Sequence, residues 1–318
     1  MSGCSFSVLT VTYGDRYDLL LEGPYKTALE NGLNLLVVCN GVSESYLQKL
    51  CKLEAEHRIT IKLIVHEANQ GSAGGFYSAI DNAKVFNTDY YLLLDDDNYL
   101  EYKLDNDFHY KDASFFPRDG RSYINAAIKG ETPDNYLAKP NSFLGFSIER
   151  ALRKAFPKSK GSFALDSFSF PWAPYGGLML SQKVLNSGIM PNKELFLYCD
   201  DTDYTYRISN MFGLYLNTKN RVLDVGDSWN VSAAGNVITR LQNGEERWRV
   251  YYSVRNQVFF DKSVARNYLS FSLNTFVFCV LFLTFYLFKV NKSKNGMIVA
   301  KAILDGFRNR LGNNGFDL

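Results

Sequence analysis

The sequence predicts an α/β fold, a mainly parallel sheet with helices on both faces, followed by a helical carboxyl-terminal tail. Three observations carry that expectation. Over the first hundred residues, short apolar runs rich in β-branched residues alternate with helix-compatible stretches, the pattern of strand-helix-strand units. The run "YYLLLDDDNYL", Tyr90–Leu100, ends in three consecutive aspartates; parallel sheets bind ligands outside the carboxyl ends of their strands. From about residue 265 the composition changes sharply, so a first domain over residues 1–262 and a tail over 263–318 are expected.

The elements follow in order. "FSVLTVTY" reads as the first strand. "YDLLLEGPYKTALENG" reads as a helix interrupted near Gly23-Pro24 and ended by Gly32. "LNLLVVCNG" is a second strand stopped by Asn40-Gly41. "SESYLQKLCKLEAEH" has helical spacing behind a Ser43 cap. "ITIKLIVHE" is a third strand, "GSAGGFYSAIDNAKVF" a helix opening on glycines, and "YYLLLDDD" a fourth strand. "FFPRDGRSYINAAIKG" predicts a strand pair turning at Asp119-Gly120. Residues 131–170 read as loop and helix without a fixed place. "FPWAPYGGLMLSQKVLNSG" is turn-rich, then strand-like. "ELFLYCDDTDYTYRISNMFG" is an apolar run ending in acids, followed by a helix.

Composition narrows the function classes. At 318 residues, 46% hydrophobic and 21% charged, the chain can bury a core without disulfides. A net charge of +2 lacks the basic excess of a nucleic-acid binder, so no nucleic-acid partner is expected. The five cysteines are odd in number and form no CxxC pair, which argues for a reducing compartment and against a disulfide framework or structural zinc. The amino terminus lacks the basic and apolar regions of a secretory signal. His57, His66 and His109 show no metal-ligand spacing.

Three motifs carry chemistry. In an extended segment Asp95 and Asp97 share a face, and two carboxylates so placed suit Mg²⁺ or Mn²⁺. A solvated acidic turn is the plainer alternative. "NQGSAGGF", with Asn69 and Gly74, follows a strand and opens a helix, where backbone N–H groups can meet a phosphate or sugar. A tight strand-helix turn explains it as well. "YCDDTDY" holds a second acid cluster, in which Asp201 suits proton transfer from a hydroxyl, while Asp200 and Asp203 suit helix capping. Trp172 and Tyr175 in "PWAPYGG" suit either a sugar platform or core packing.

In order, "TVTYGDR", "VVCNG", "NQGSAGGF", "LLLDDDN", "GGLMLS" and "YCDDTDY" resemble the family 2 glycosyltransferases of the GT-A fold, over roughly residues 5–260. "WAPYGG", "DDTDY" and "WRVYYSVRNQVFF" look most like the bacterial galactofuranosyltransferases and rhamnosyltransferases. The resemblance implies a nucleotide-sugar donor, with UDP-galactofuranose ahead of dTDP-rhamnose, and a lipid-linked bacterial surface glycan as acceptor. It places Tyr13, Arg16, Asn40, Asn69, Gly74 and Asp96 at the donor. It gives Asp95 and Asp97 a Mn²⁺ or Mg²⁺ ion, makes Asp201 the base with Asp200 beside it, and puts Trp172 and Tyr175 at the acceptor. The family's second strand usually ends in Asp-Asn; here it ends in Cys39-Asn40. The family's later metal-binding His is absent, and "LDVGDSWN" offers Asp224 or Asp227 instead. A nucleotidyltransferase and a degenerate, non-catalytic relative are the rival readings.

The tail carries no charged residue from Asn267 to Phe288, long enough to span a bilayer. Its first half is polar, however, with Ser270, Ser272, Asn274 and Thr275. Met297, Ala300, Leu304, Phe307 and Leu311 recur at helical spacing with Lys301, Arg308 and Arg310 between them. That pattern suits a helix on an anionic membrane surface; a span or packing on the preceding domain are alternatives. A peripheral protein on the cytoplasmic face of the bacterial inner membrane is expected, with a homo-oligomer as one option.

Overall fold

The computed structural model describes residues 3–55, 59–118, 141–155, 168–226, 247–289 and 294–315. The chain divides into two compact units: Met1–Leu137, Gly161–Lys193 and Asp200–Trp229 form one, and Ala138–Lys160, Glu194–Cys199 and Asn230–Leu318 the other.

The first unit is built on a seven-stranded sheet of order β3-β2-β1-β4-β7-β6-β8 among the described residues. Its strands are β1 (Phe6–Thr12), β2 (Asn34–Asn40), β3 (Ile61–His66), β4 (Tyr90–Asp95), β6 (Ala113–Phe115), β7 (Leu178–Ser181) and β8 (Tyr215–Leu216). A separate antiparallel pair joins β5 (Asn98–Leu100) to β9 (Val222–Asp224). Strands β3, β2, β1 and β4 run parallel, and β7 is antiparallel to both β4 and β6.

Both faces of the parallel part are covered, which is why its strands read as unbroken apolar runs. Leu9, Leu36, Val38, Tyr91 and Leu93 pack on one face with Phe76, Ala79 and Ile80 of α4 (Gly71–Asn82). Val8, Leu35, Val37, Leu92 and Leu94 pack on the other with Tyr46 and Leu50 of α3 (Glu44–Ala55). The predicted interruption near Gly23-Pro24 is present: α1 (Tyr17–Leu20) passes through a π turn with a kink at Gly23 into α2 (Lys26–Asn31), which Gly32 ends at φ 64°. Ser43 caps α3 by accepting from the Tyr46 N–H at 3.3 Å.

One expectation lies largely outside the described residues, and one apolar run takes a form that its composition does not show. The strand pair expected at 115–130 is described only as far as Arg118; the Asp119-Gly120 turn lies outside the described residues. "ELFLYC" is not a strand. Phe196, Tyr198 and Cys199 all have positive φ, a conformation that no strand tolerates. Asn256 holds this segment by donating to the Leu195, Leu197 and Tyr198 carbonyls at 2.7 to 2.9 Å.

The second unit contains α5 (Ile148–Ala155), α8 (Arg247–Ser263), α9 (Tyr268–Lys289) and α10 (Lys294–Phe307), while α6 (Gln182–Asn186) and α7 (Asp200–Phe212) belong to the first. Val250, Tyr251, Val254 and Val258 of α8 share a core with Phe271, Phe278 and Phe282 of α9 and Val299, Ala302 and Ile303 of α10. Helix α10 packs one face on this cluster, with Phe307 against it, and leaves Met297 and Leu304 of the face expected on a membrane surface exposed. Gly306 admits α8 closely, since a Cβ there would lie 2.5 Å from the Arg255 carbonyl oxygen. Among the described residues no helix is long and apolar enough to cross a membrane.

Candidate active site

The acidic run begins where β4 ends. Asp95 is the last strand residue, and Asp96 and Asp97 form the turn before β5. The strict alternation expected of an extended segment therefore stops at Asp95. The turn nonetheless brings Asp95 and Asp97 to one cation, the Arg118 guanidinium. Arg118 lies 3.1 Å from Asp95 Oδ2, 4.0 Å from Asp97 Oδ1 and 2.7 Å from Asp224 Oδ1. Asn98 ties the same group together by donating to Asp97 Oδ1 and Asp224 Oδ1, both at 3.0 Å.

Arg16 neutralises the other side of the run. Its Nε donates to both oxygens of Asp96 at 3.0 and 2.9 Å, and its Nη2 donates to Asp97 Oδ2 at 2.8 Å. Thr12 Oγ1 also donates to Asp96, at 3.0 Å, and pairs with the Tyr46 hydroxyl. Burial pushes Asp96 up to about 7 against the pull of Arg16. Tyr13, 44% exposed, lies beneath the Arg16 guanidinium at 5.1 Å, so Tyr13, Arg16 and Asp96 form one connected edge at the carboxyl ends of β1 and β4.

Asn40 and Asn69, expected at the donor, hydrogen-bond to each other and to the loop itself. Asn40 Nδ2 donates to Asn69 Oδ1 and to the Gly71 carbonyl, and its Oδ1 accepts from the Gln70 N–H. Asn69 Oδ1 also accepts from the Gly71 N–H. The glycines that follow are packing glycines: a Cβ on Gly75 would lie 2.4 Å from Val11 Cγ1, and one on Gly74 2.6 Å from Gln70 Cβ.

The second acid cluster opens α7. Asp200 is 3% exposed, and its Oδ2 accepts from Ser72 Oγ at 2.8 Å. Burial, then the charge of Asp201, holds the Asp200 carboxyl well above the usual carboxylate range. Asp201 is half-buried and accepts from the Thr202 N–H at 2.6 Å. Asp203 pairs with Arg207 at 2.7 Å. The run "YGG" borders the first cluster at Gly176 and feels the charge of the second at Tyr175. A Cβ on Gly176 would stand 2.2 Å from Asn98 Oδ1, 2.9 Å from Asp95 Oδ2 and 3.2 Å from Arg118 Nη1. Tyr175, one residue earlier, has its proton affinity raised by burial and then by Asp200 and Asp201.

Tyr175 does not offer the expected sugar platform. It is 4% exposed, stacked on Phe76 at 4.0 Å, and its hydroxyl is buried without a hydrogen-bond partner. Trp172 is half-buried against the same core. Asp227 lies outside the described residues. Sequence reasoning missed Arg118, Asn98 and Ser72. Only charge balance pointed to Arg118, since three adjacent carboxylates at a strand end need cations and "FFPRDG" supplies one.

The carboxylate oxygens of Asp95, Asp97 and Asp224 are the hard donors that Mg²⁺ or Mn²⁺ prefers, and their convergence on Arg118 shows that the position attracts a cation. Among the described residues, no group of three or more His, Cys, Asp or Glu side chains stands close enough together to hold a metal ion, and Arg118 occupies the centre of these three.

No protein-family model matches the chain, and no curated protein matches it in sequence. Among solved structures it is similar to GalNAc-T7 with UDP, GalNAc and Mn²⁺, at a TM-score of 0.51 and 10% identity over 81% of this chain and 47% of that one. The fold is GT-A. S. aureus TarS residues 1–349 superpose at 0.49 with 14% identity, over 96% of this chain and 82% of TarS. The same TarS fragment with UDP superposes at 0.46 with 12% identity, over 99% and 94%. The chain spans about half of the GalNAc-T7 structure.

Proposed function

We propose that the chain is an inverting glycosyltransferase that moves a sugar from a nucleotide donor to a glycan hydroxyl. The observation that carries this is the placement of two acid clusters along Tyr175-Gly176, one neutralised by arginines and one with a buried carboxyl whose proton affinity is raised. Tyr13, Arg16 and Asp96 would bind the nucleotide. Asp95, Asp97 and Asp224 would hold Mn²⁺ or Mg²⁺, which when bound neutralises the departing diphosphate; Arg118, now paired with them, would give way.

Proton transfer belongs to Asp201. Asp200 is sealed from solvent and bonded to Ser72, whereas Asp201 retains exposed surface to meet an acceptor. Asp201 accepts the hydroxyl proton. The acceptor oxygen bonds to the anomeric carbon, and the carbon–oxygen bond to the diphosphate breaks with its electron pair on the leaving group. Trp172 would line the acceptor side.

UDP-galactofuranose is the donor favoured by the "WAPYGG" and "DDTDY" resemblance, and a lipid-linked bacterial surface glycan is the acceptor. UDP in the GalNAc-T7 structure supports a nucleotide donor, and its Mn²⁺ supports a metal. The protein would work at the cytoplasmic face of the inner membrane. Nucleoside-diphosphate release from a panel of nucleotide-sugars, with Mn²⁺, Mg²⁺ or chelator, tests the proposal. Release from UDP-galactofuranose ahead of other donors is expected. A preference for dTDP-rhamnose moves the donor assignment. No release from any donor returns the chain to a non-catalytic relative.

A further inference from the structure

Helix α9 is apolar on two sides. Phe271, Phe278 and Phe282 face the core of the second unit. On the other side, Leu269 is 81% exposed, Leu273 52%, Phe276 66%, Val280 43% and Leu283 55%. These residues follow one another at intervals of four and three, so they form one stripe. Tyr268, also exposed, stands at its amino-terminal end. A contiguous exposed apolar stripe of this kind marks a contact surface.

Two occupants suit such a stripe: a second copy of the chain, as in a coiled coil, or a lipid surface. Charge decides between them. Between Asp261 and Asp305 the sequence has no acidic residue. Arg266 precedes the helix and is exposed, and Lys289, Lys292 and Lys294 follow the stripe. A parallel pair of α9 helices would set Arg266 beside Arg266. An antiparallel pair would set it beside the lysines. Neither arrangement finds a carboxylate in this segment, whereas anionic headgroups pair with both ends at once.

We propose that the outer stripe of α9 lies on an anionic lipid surface, with the helix in the plane of the interface and its basic ends on the headgroups. This rests on the peripheral membrane placement above and names the face responsible. Helix α9 carries the longer apolar stripe: its five exposed residues from Leu269 to Leu283 compare with Met297 and Leu304 on α10.

The experiment is co-sedimentation of the full chain with vesicles of phosphatidylglycerol and phosphatidylcholine, and with phosphatidylcholine alone. Binding is expected only to the anionic vesicles and should weaken at least tenfold in 0.5 M salt (roughly a 4 Å Debye length). Leu273→Glu with Phe276→Glu should weaken it by more than tenfold; Met297→Glu, on exposed α10 surface, should change it less than twofold. Should the double variant misfold by circular dichroism, Phe276→Trp supplies the second reading: brominated phospholipid should quench its fluorescence beyond that of the parent. Equal binding by parent and double variant overturns the proposal, as does an absence of added quenching. A lipid-free dimer that Phe276→Glu splits overturns it in favour of a second copy. Sugar transfer to a water-soluble acceptor is measured alongside. Transfer without vesicle binding sinks this inference alone; vesicle binding without transfer sinks the enzymatic reading alone.

Discussion

Arg118 is the residue on which the proposed donor site turns. Its guanidinium gathers Asp95, Asp97 and Asp224, and an arginine cannot shed its charge near neutral pH. A dication entering there must displace it. Arg118→Gln should therefore bind Mn²⁺ about tenfold more tightly, about 1.4 kcal/mol, by titration calorimetry without donor. Weaker binding would show that Arg118 helps to build the metal position. Asp200 makes a separate statement about pH. Its folded-state proton affinity is raised above the unfolded value. Its contribution to stability is thus full below the ordinary carboxylate range and is lost as pH rises through the raised value. Asp200→Asn removes that loss while keeping an oxygen for Ser72. Its melting temperature should exceed the parent's at pH 9, by about 2–4 °C per kcal/mol recovered, and approach it near pH 3, below the ordinary carboxylate range. A gain that is the same at both pH values would remove the buried proton from the account.

At the level of elements, close approach explains what glycine composition left ambiguous. Gly75→Ala would drive a methyl against Val11 and should cost about 1–3 kcal/mol in chemical denaturation. Gly176→Ala would meet Asn98 and Asp95 instead, so it should weaken donor binding in calorimetry more than it lowers stability. A Gly176→Ala protein with parental donor affinity would separate the two acid clusters functionally. Strands β1 to β4 were legible because burial on both faces leaves continuous apolar runs. The antiparallel β7 was not, since direction depends on its partner and leaves no mark in composition. The backbone of "ELFLYC" was illegible because its left-handed residues are held by Asn256, far along the chain. Tyr175 and Trp172 read alike in sequence; only Phe76 and Tyr204, from two separate helices, consign Tyr175 to the core. Arg118 was illegible for a similar reason, because its meaning lies in a bridge to Val222 that sets it beside Asp224.

Across the whole chain, the tail belongs to a core. Removing residues after Arg266 would expose Val250, Tyr251, Val254 and Val258, which α9 and α10 cover. Arg255 would also lose the Gly312 carbonyl. Such a truncation should aggregate or melt far below the parent, as light scattering and thermal melts will register. Parental melting would contradict the packing. The central claim joins both acid clusters in one inverting transfer, and Asp201→Asn addresses it most directly. Single-turnover transfer and donor affinity should be measured on that variant beside the parent. The account predicts a transfer rate lower by about 10²–10⁴, the usual share of general-base catalysis, with donor affinity within twofold. A variant that transfers at the parental rate, or that loses donor binding while its turnover survives, would contradict the account.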